Sequence, residues 1–408
     1  MKPLGPIPPG YGLINGELAL GTRTASALVA EAGSTPLFVY SALLIRRRVG
    51  ELRNALPNTV ALHYAVKANP YRPILELMSE LIDGFDVASA GELALVQAAG
   101  IDPVRTSFAG PGKRTEELEA AIRAGATLNL ESEGEAARAL NAAARLGITP
   151  RLAIRVNPEF ELKGSGMKMG GGAKPFGVDA ERVPAMAREV IASGAEWRGF
   201  HIFAGSQALS AKAIIDAQAQ AVVLAARLSE AIGAPLPHCN LGGGLGIPYF
   251  PGDLPVDLAA IGKALGEELA HLPYVLENTQ FCLELGRYLV GEAGVYLTRI
   301  IDRKVSHGEV FLVTDGGLHH QLAASGNFGT VVRRNYPVAI ATRFDGAVEE
   351  EASVVGCLCT PLDRLAEKAG FPRAEVGDLV AVFCAGAYGA TASPAQFLGH
   401  GPAKEMLV

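Results

Sequence analysis

The stretch HYAVKANP, residues 63–70, places a lysine directly after a mainly apolar run with the character of a β-strand. An amine that burial deprives of water at a strand end has a lowered pKa and becomes a nucleophile suited to forming a Schiff base. Lys67 taken alone would also fit a surface lysine whose aliphatic chain covers apolar groups. The sequence on either side is needed to decide between the two interpretations.

On both sides of this stretch, short β-rich runs alternate with longer helical runs, which is typical of βα units around parallel strands. Predicted strands cover residues 37–40, 60–66, 84–88, 105–109, 127–130, 151–156, 198–203, 238–241 and 281–284. Predicted helices cover residues 42–55, 73–81, 91–99, 115–124, 133–146, 183–192 and 211–232. Eight or nine such repeats predict the α/β fold class and a closed (β/α)8 TIM barrel.

Beyond residue 284 the pattern changes to β-rich segments with few helices. These predicted strands cover residues 294–300, 309–314, 338–341, 351–356 and 378–383. We therefore expect a barrel over residues 36–284 and a C-terminal β domain over residues 285–408. Residues 1–35 are expected to pack with the β domain.

The composition favours a globular protein that acts on small molecules. A chain of 408 residues, 49% hydrophobic and 19% charged, has room for two well-buried domains. Its net charge of -6 gives no general attraction to nucleic acid or to an anionic membrane. No apolar run suits a signal peptide or a membrane span, so we expect a cytoplasmic protein. The five scattered cysteines are expected to be free thiols.

Unusual polar residues coincide with the ends of the predicted barrel strands. A closed barrel carries its chemistry at the C-terminal ends of its strands. In or just after predicted strands lie Lys67, Asp86, Arg155, His201, Gly242 and Glu284. A purely structural interpretation does not account for that coincidence, so these positions become candidate site residues.

Three motifs suggest what such a site would hold. The run NLGGGLG, residues 240–246, could aim backbone N–H groups at a phosphate, although glycines also form simple turns. In HIFAGSQ, residues 201–207, His201 and Phe203 share one face, and either ring could be a core residue or face a planar cofactor. In ELGR, residues 284–287, Glu284 could pair with a pyridine nitrogen and Arg287 with an anion; a surface ion pair is the alternative.

Taken in order, these motifs resemble the fold-type III pyridoxal 5′-phosphate (PLP) decarboxylases, the family of ornithine and diaminopimelate decarboxylases. The resemblance spans nearly the whole chain. It rests on YAVKAN at 64–69, GFDVAS at 84–89, GSQ at 205–207, GGG at 242–244, ELGR at 284–287, Cys359 and GAY at 386–388.

The resemblance implies an alanine racemase-like PLP barrel, a homodimer with shared active sites, and decarboxylation of a small amino-acid substrate. Lys67 would form the Schiff base, and Cys359 of the partner subunit would return a proton to the α-carbon. Implied cofactor-binding residues are Lys67, Asp86, Arg155, His201, Phe203, Ser206, Gly243, Gly244, Glu284, Arg287 and Tyr388. Implied substrate-contacting residues are Arg287, Thr360 and Asp363.

Three departures from the family pattern matter, and the third bears on the substrate. Phe203 stands where the family has its ring-stacking histidine, and Leu285 replaces the proline of its EPGR motif. Thr360 replaces the acid that, in ornithine and diaminopimelate decarboxylases, reads the distal amine of the substrate. Its absence argues against a substrate with a distal cation. The CTPLD pattern at 359–363 is closer to a subgroup that includes exosortase-associated decarboxylases and a decarboxylase of a carrier-protein-linked glutamyl group.

Two other functions remain open on the same fold: amino-acid racemisation and non-catalytic PLP binding. Racemases of this fold, by resemblance, present an arginine to the pyridine nitrogen, whereas Glu284 favours decarboxylation. Neighbouring His319 and His320 are expected on opposite faces of a strand, so no metal site is predicted. The lysine-bearing loop at 163–174 is either a lid over an anionic substrate or a solvated surface loop.

Overall fold

The computed structural model describes residues 1–326 and 334–408, and the chain forms two compact units. The first, here called the β unit, comprises Met1–Arg48, Ile247–Leu254 and Arg287–Val408. The second, the barrel unit, comprises Val49–Gly246 and Pro255–Gly286.

The barrel unit contains eight parallel strands closed into a ring. The strands are β1 (Ala61–Ala65), β2 (Gly84–Val87), β3 (Thr106–Phe108), β4 (Thr127–Leu130), β5 (Arg151–Asn157), β6 (Glu196–Ile202), β7 (His238–Gly243) and β8 (Gln280–Leu285). Each strand pairs with the next, and β8 pairs with β1 through registers such as Glu284 opposite His63. The predicted TIM barrel is confirmed.

The helices of the barrel unit begin and end at residues whose chemistry suits those positions. Ser89, Ser132 and Ser210 each accept a hydrogen bond from an amide in the first turn of the helix that follows. Gly125 and Gly147 end two helices in the left-handed conformation. The helices are Arg72–Leu81, Ala90–Ala98, Thr115–Ala124, Glu133–Leu146, Val183–Ala192, Ala211–Ile232 and Leu258–Leu269, and Ala42–Ala55 begins before this unit.

Shorter elements of the barrel unit lie in its loops. The two-residue strand Met167–Lys168 pairs antiparallel with Gly205–Ser206, and Val178–Asp179 pairs with the end of β5. The 3-10 turns are Val66–Ala68, Pro103–Arg105 and Tyr274–Leu276.

The β unit is built around the long strand Gly294–Ser306, as its β-rich sequence predicts. Its strands are Gly12–Ile14, Glu17–Leu20, Arg23–Thr24, Leu37–Tyr40, Gly294–Ser306, Glu309–Thr314, Val338–Ile340, Glu350–Val355, Arg364–Phe371, Leu379–Val382 and Lys404–Leu407. Its helices are Ala25–Ala32 and the short Arg287–Val290, and its 3-10 turns are Gly291–Ala293, Leu322–Ser325, Ala341–Arg343 and Phe397–Gly399. Its core packs strand, helix and loop residues such as Leu18, Leu28, Leu37, Val295 and Phe383.

Two expectations from the sequence require correction. Leu37–Tyr40, predicted as a barrel strand, belongs to the β unit because Gly294–Ser306 and Lys404–Leu407 occupy its two edges. The expectation that His319 and His320 lie on opposite faces of a strand was also wrong. They lie in a turn with ring centres 3.8 Å apart, and side chains alternate between faces only where the backbone is extended.

Within the described residues, no helix is both long enough and apolar enough to cross a membrane.

Candidate active site

Lys67 lies in the one-turn 3-10 helix Val66–Ala68, immediately after β1. The hydroxyl of Tyr64 donates to the carbonyl of Asn69 at 2.9 Å, and the Asn69 amide donates to Val66 at 3.0 Å, so both ends of the turn are held. The Lys67 side chain keeps 43% of its surface exposed, and its Nζ lies 3.4 Å from Glu284 Oε1. Its amine is therefore fixed at the C-terminal end of the barrel and remains within reach of a ligand.

Glu284, on β8, is a buried carboxylate whose two oxygens contact different side chains. Its Oε1 accepts from Lys67, and its Oε2 lies 2.9 Å from Nε2 of His201 on β6. Burial would raise the pKa of Glu284, but Lys67 and His201 together outweigh burial and hold the pKa well below its usual range. The carboxylate therefore stays ionised near neutral pH.

Phe203 is the aromatic ring next to the lysine amine. Lys67 Nζ lies 5.5 Å from the centre of the Phe203 ring, and the His201 ring is 6.3 Å from that of Phe203. Because His201 bonds Glu284, the two aromatic residues make different contacts. A planar ligand held by Lys67 would meet the phenyl ring of Phe203 more readily than the imidazole of His201, which is already bonded to Glu284.

Asp86 and Arg155 each face a charged partner on a neighbouring strand or strand end. Asp86 Oδ2 lies 3.2 Å from His63 Nδ1; burial would lower the pKa of His63, but the charge of Asp86 raises it. Arg155 Nη1 donates at 2.9 Å to Glu131, and both side chains are buried. Both predicted residues thus lie toward the strand ends, where Asp86 contacts His63 and Arg155 pairs with Glu131.

The glycine loop and the GSQ segment form one hydrogen-bonded unit. The amide of Ala208 donates to the carbonyl of Gly244 at 2.9 Å. A side chain at Gly243 would meet the carbonyl oxygen of Glu284 at 2.1 Å, and Gly244 has a φ of +75° that favours glycine. Backbone amides can approach a phosphate closely at such a loop, and Ser206 contributes a hydroxyl in the segment paired with Met167–Lys168.

Sequence reasoning missed some polar residues beside this site. Glu131 directly follows β4, and besides Arg155 its carboxylate accepts from the amides of Gly110 and Gly177. The strand-end rule that indicated Lys67 would have found Glu131 as well. Glu92 has no such signal because it lies in the first turn of a helix; burial raises its pKa although the charge of Lys67 opposes this.

The β unit contains the remaining predicted residues in two separate groups. Arg287 lies between two tyrosines: its Nη1 donates to the hydroxyl of Tyr249 at 2.7 Å, and its guanidinium carbon lies 4.8 Å from the centre of the Tyr388 ring. Two aromatic faces and one hydrogen bond fix the direction of this cation.

The second group is the loop that carries Cys359 and Thr360. Asp363 is buried, and its two oxygens accept from the amides of Leu318 at 2.6 Å and Leu358 at 2.8 Å. Cys359 itself is exposed. Asp363, predicted to contact substrate, is therefore placed to hold the loop that presents Cys359 and Thr360.

The barrel unit fits PLP. The fit rests on a reachable primary amine for the aldehyde, an ionised carboxylate for the ring nitrogen, an aromatic face beside the amine, and a glycine loop that has no room for side chains. Lys67, Glu284, Phe203 and the loop at Gly243 and Gly244 would supply these four contacts.

Comparison with known proteins gives the same answer. The family model for the pyridoxal binding domain of pyridoxal-dependent decarboxylases matches residues 43–291. L-glutamyl-[BtrI acyl-carrier protein] decarboxylase of Niallia circulans is 36% identical over 385 residues, covering 91% of this chain and 88% of that protein. Diaminopimelate decarboxylase of Methanothermobacter thermautotrophicus is 32% identical over 384 residues, covering 91% of this chain and 86% of that protein.

A solved structure extends the likeness to the fold of the whole chain. Diaminopimelate decarboxylase from Helicobacter pylori, in complex with L-lysine, superposes with a TM-score of 0.82 at 27% identity, covering 93% of each chain. The family model covers more than half of this chain, and the residues of the barrel unit fit the cofactor that its name specifies. The chain belongs to the pyridoxal-dependent decarboxylases, which are PLP-dependent amino-acid decarboxylases.

Proposed function

We propose that this enzyme decarboxylates an amino acid or aminoacyl conjugate that has no distal cationic amine. The observation that carries the proposal is Thr360, next to the exposed Cys359 in a loop held by Asp363. A neutral hydroxyl at this position gives a distal ammonium group no charge to pair with. A conjugated or acidic side chain therefore fits this loop better than lysine, ornithine or diaminopimelate.

The barrel residues supply the positioning chemistry in this proposal. With PLP bound, Lys67 would hold the cofactor through its amine, and Glu284, which is ionised because its pKa is low, would pair with the protonated ring nitrogen. Bound PLP supplies an electron sink for the pair of electrons released when CO2 leaves. In this proposal Ser206, Gly243 and Gly244 would hold the phosphate, while Tyr388 and Arg287 stay candidates for anion contacts on the resemblance alone.

The proton donor in this proposal is Cys359 of the partner subunit. Cys359 is exposed, so its thiol is accessible to the active site of a second chain. In a homodimer with shared active sites, Cys359 would then protonate the α-carbon after CO2 has left.

A carrier-linked substrate is the more specific form of the proposal. One of the similar proteins is named for the decarboxylation of a glutamyl group on an acyl-carrier protein. In this chain the loop that carries Lys163 and Lys174 also contains Met167–Lys168, which pairs with Gly205–Ser206. Cationic side chains in a loop anchored beside the proposed phosphate contacts would suit the phosphate of a carrier arm.

Release of CO2 from a panel of substrates tests this function. Purified holoenzyme should release CO2 from a glutamyl thioester of a carrier protein or of pantetheine, or from an acidic amino acid. It should leave lysine, ornithine and diaminopimelate unchanged. Turnover of diaminopimelate at a comparable rate, or α-deuterium exchange without CO2 release from every substrate, would contradict the proposal.

A substitution at Thr360 tests the specificity argument directly. Thr360→Glu should raise kcat/KM for diaminopimelate at least about tenfold, because a carboxylate adds a charge-assisted hydrogen bond to the distal amine. Thr360→Ser keeps a hydroxyl and serves as the matched control, with kcat/KM unchanged for both substrate classes. If Thr360→Glu gains nothing, the residue does not read the distal group.

A further inference from the structure

We propose that His319, Cys357 and His400, all in the β unit, form a binding site for a transition-metal ion of the zinc class. The three side chains come from the turn after Glu309–Thr314, the loop after Glu350–Val355 and the segment before Lys404–Leu407. Sequence spacing gives no hint of the site, because Cys357 follows His319 by 38 positions and His400 follows Cys357 by 43.

The three side chains converge. One ligand atom from each can be chosen so that all lie within 4.8 Å of one another. Cys357 Sγ lies 4.0 Å from both ring nitrogens of His400, and the rings of His319 and His400 are 4.9 Å apart between centres. Two imidazoles and a thiol in this arrangement are the ligand types that zinc and neighbouring soft or borderline ions select.

His319 supplies the second, independent observation. Its side chain is fully buried, yet within the described residues neither of its ring nitrogens has a hydrogen-bond partner. Leaving buried polar atoms unpaired costs free energy, and native proteins rarely do so without a reason. A metal ion bound to one nitrogen would provide that reason.

A second layer of contacts holds the segment around His400. The buried His320 has one ring nitrogen 3.0 Å from the hydroxyl of Tyr296 and the other 3.0 Å from the carbonyl of Gly401. The backbone next to His400 is therefore anchored while its imidazole remains exposed. Outer-layer contacts of this kind set ligand orientation in metal sites.

Closing the site requires only a small movement. Bonds of about 2.0 Å to nitrogen and about 2.3 Å to sulfur put tetrahedral ligands about 3.5 Å apart, so the group must contract by about 1 Å. The exposed ring of His400 can supply that movement by rotation. Cys357 would release its proton to solvent as the thiolate binds, and the fourth position would take water.

A bound ion would tie residue 400 to the loop that begins at Cys357 and continues through Cys359 and Thr360. Its expected role is to position that loop, so this proposal does not depend on which substrate the enzyme uses.

The test uses untagged, full-length holoenzyme dialysed against zinc and analysed for metal content. Wild-type protein should retain one zinc per chain, and X-ray absorption at the zinc edge should show one sulfur and two imidazole nitrogens. His400→Gln, at an exposed position that should not affect folding, should weaken zinc binding more than about tenfold, and Cys357→Ser should remove the sulfur shell.

The matched controls are Cys359→Ser, which removes a thiol two residues from Cys357, and His271→Gln, which removes an exposed histidine of the barrel unit. Both should keep the wild-type zinc content and spectrum. The proposal is overturned if wild-type protein retains no zinc, if the sulfur shell survives in Cys357→Ser, or if it disappears in Cys359→Ser. Added zinc should raise the Tm of wild type and not that of Cys357→Ser; an equal rise in both would also contradict it.

Discussion

At the scale of single residues, Glu284 shows how burial and charge combine to fix a protonation state. Burial alone favours the neutral acid, but the amine of Lys67 and the ring of His201 hold the carboxylate ionised. Lys67, His201 and Glu284 could be selected from the sequence because each lies in or just after a predicted strand. Their mutual contacts could not, because pairing across the barrel depends on strand register, which a local pattern does not specify.

Phe203 provides the residue-scale prediction. Phe203→Ala should weaken PLP binding about threefold to tenfold, because stacking of aromatic rings contributes about 0.5–1.5 kcal/mol. Equilibrium dialysis followed by the cofactor's absorbance measures this. Phe203→His, which keeps an aromatic ring, is the control and should bind PLP within about twofold of wild type. Unchanged binding in Phe203→Ala would show that Phe203 does not stack on the cofactor.

At the scale of elements, the buried pair Lys113 and Glu135 joins the loop after β3 to the helix Glu133–Leu146. Both side chains are 1% exposed, and the Lys113 amine also donates to the carbonyls of Gly110 and Asn129. Burial raises the pKa of Glu135 although Lys113 opposes this. The pair thus fixes the strand ends beside the candidate site.

Removing one member of this pair should be more harmful than removing both. Lys113→Met should cost about 3–5 kcal/mol of barrel stability, because Glu135 is left as an unpaired buried charge. The double variant Lys113→Met with Glu135→Leu should recover most of that loss. Trp197, the only tryptophan of the chain, lies on β6 and reports unfolding of the barrel unit by fluorescence. A double variant as unstable as the single one would assign the stability to the backbone hydrogen bonds instead.

The elements themselves were largely predictable from sequence. Residues 127–130 form β4 as predicted, and five helices, among them Thr115–Ala124, match to the residue. The sheet to which Leu37–Tyr40 belongs was not predictable, because its partners lie more than 250 and 360 residues away along the chain. Local composition specifies a strand, whereas long-range pairing decides which sheet receives it.

At the scale of the whole molecule, the proposed homodimer predicts that two inactive variants complement each other. Lys67→Ala and Cys359→Ala should each lose nearly all decarboxylase activity. After mixing and subunit exchange, half of the dimers would be hybrids with one intact site, restoring about a quarter of wild-type activity. Light scattering should show dimers throughout. Absence of recovery despite proven exchange would place Lys67 and Cys359 of one chain in the same site.

The closure of the barrel links the assembly of the site to its protection from aggregation. Until β8 docks, β1 lacks a partner on one side. The unpaired backbone N–H and C=O groups of such an edge strand can form hydrogen bonds with another chain. The strand β8 also carries Glu284. A nascent or truncated chain that stops before residue 280 would therefore be prone to aggregate and need chaperone protection, and it would gain its buried carboxylate only when the ring is sealed.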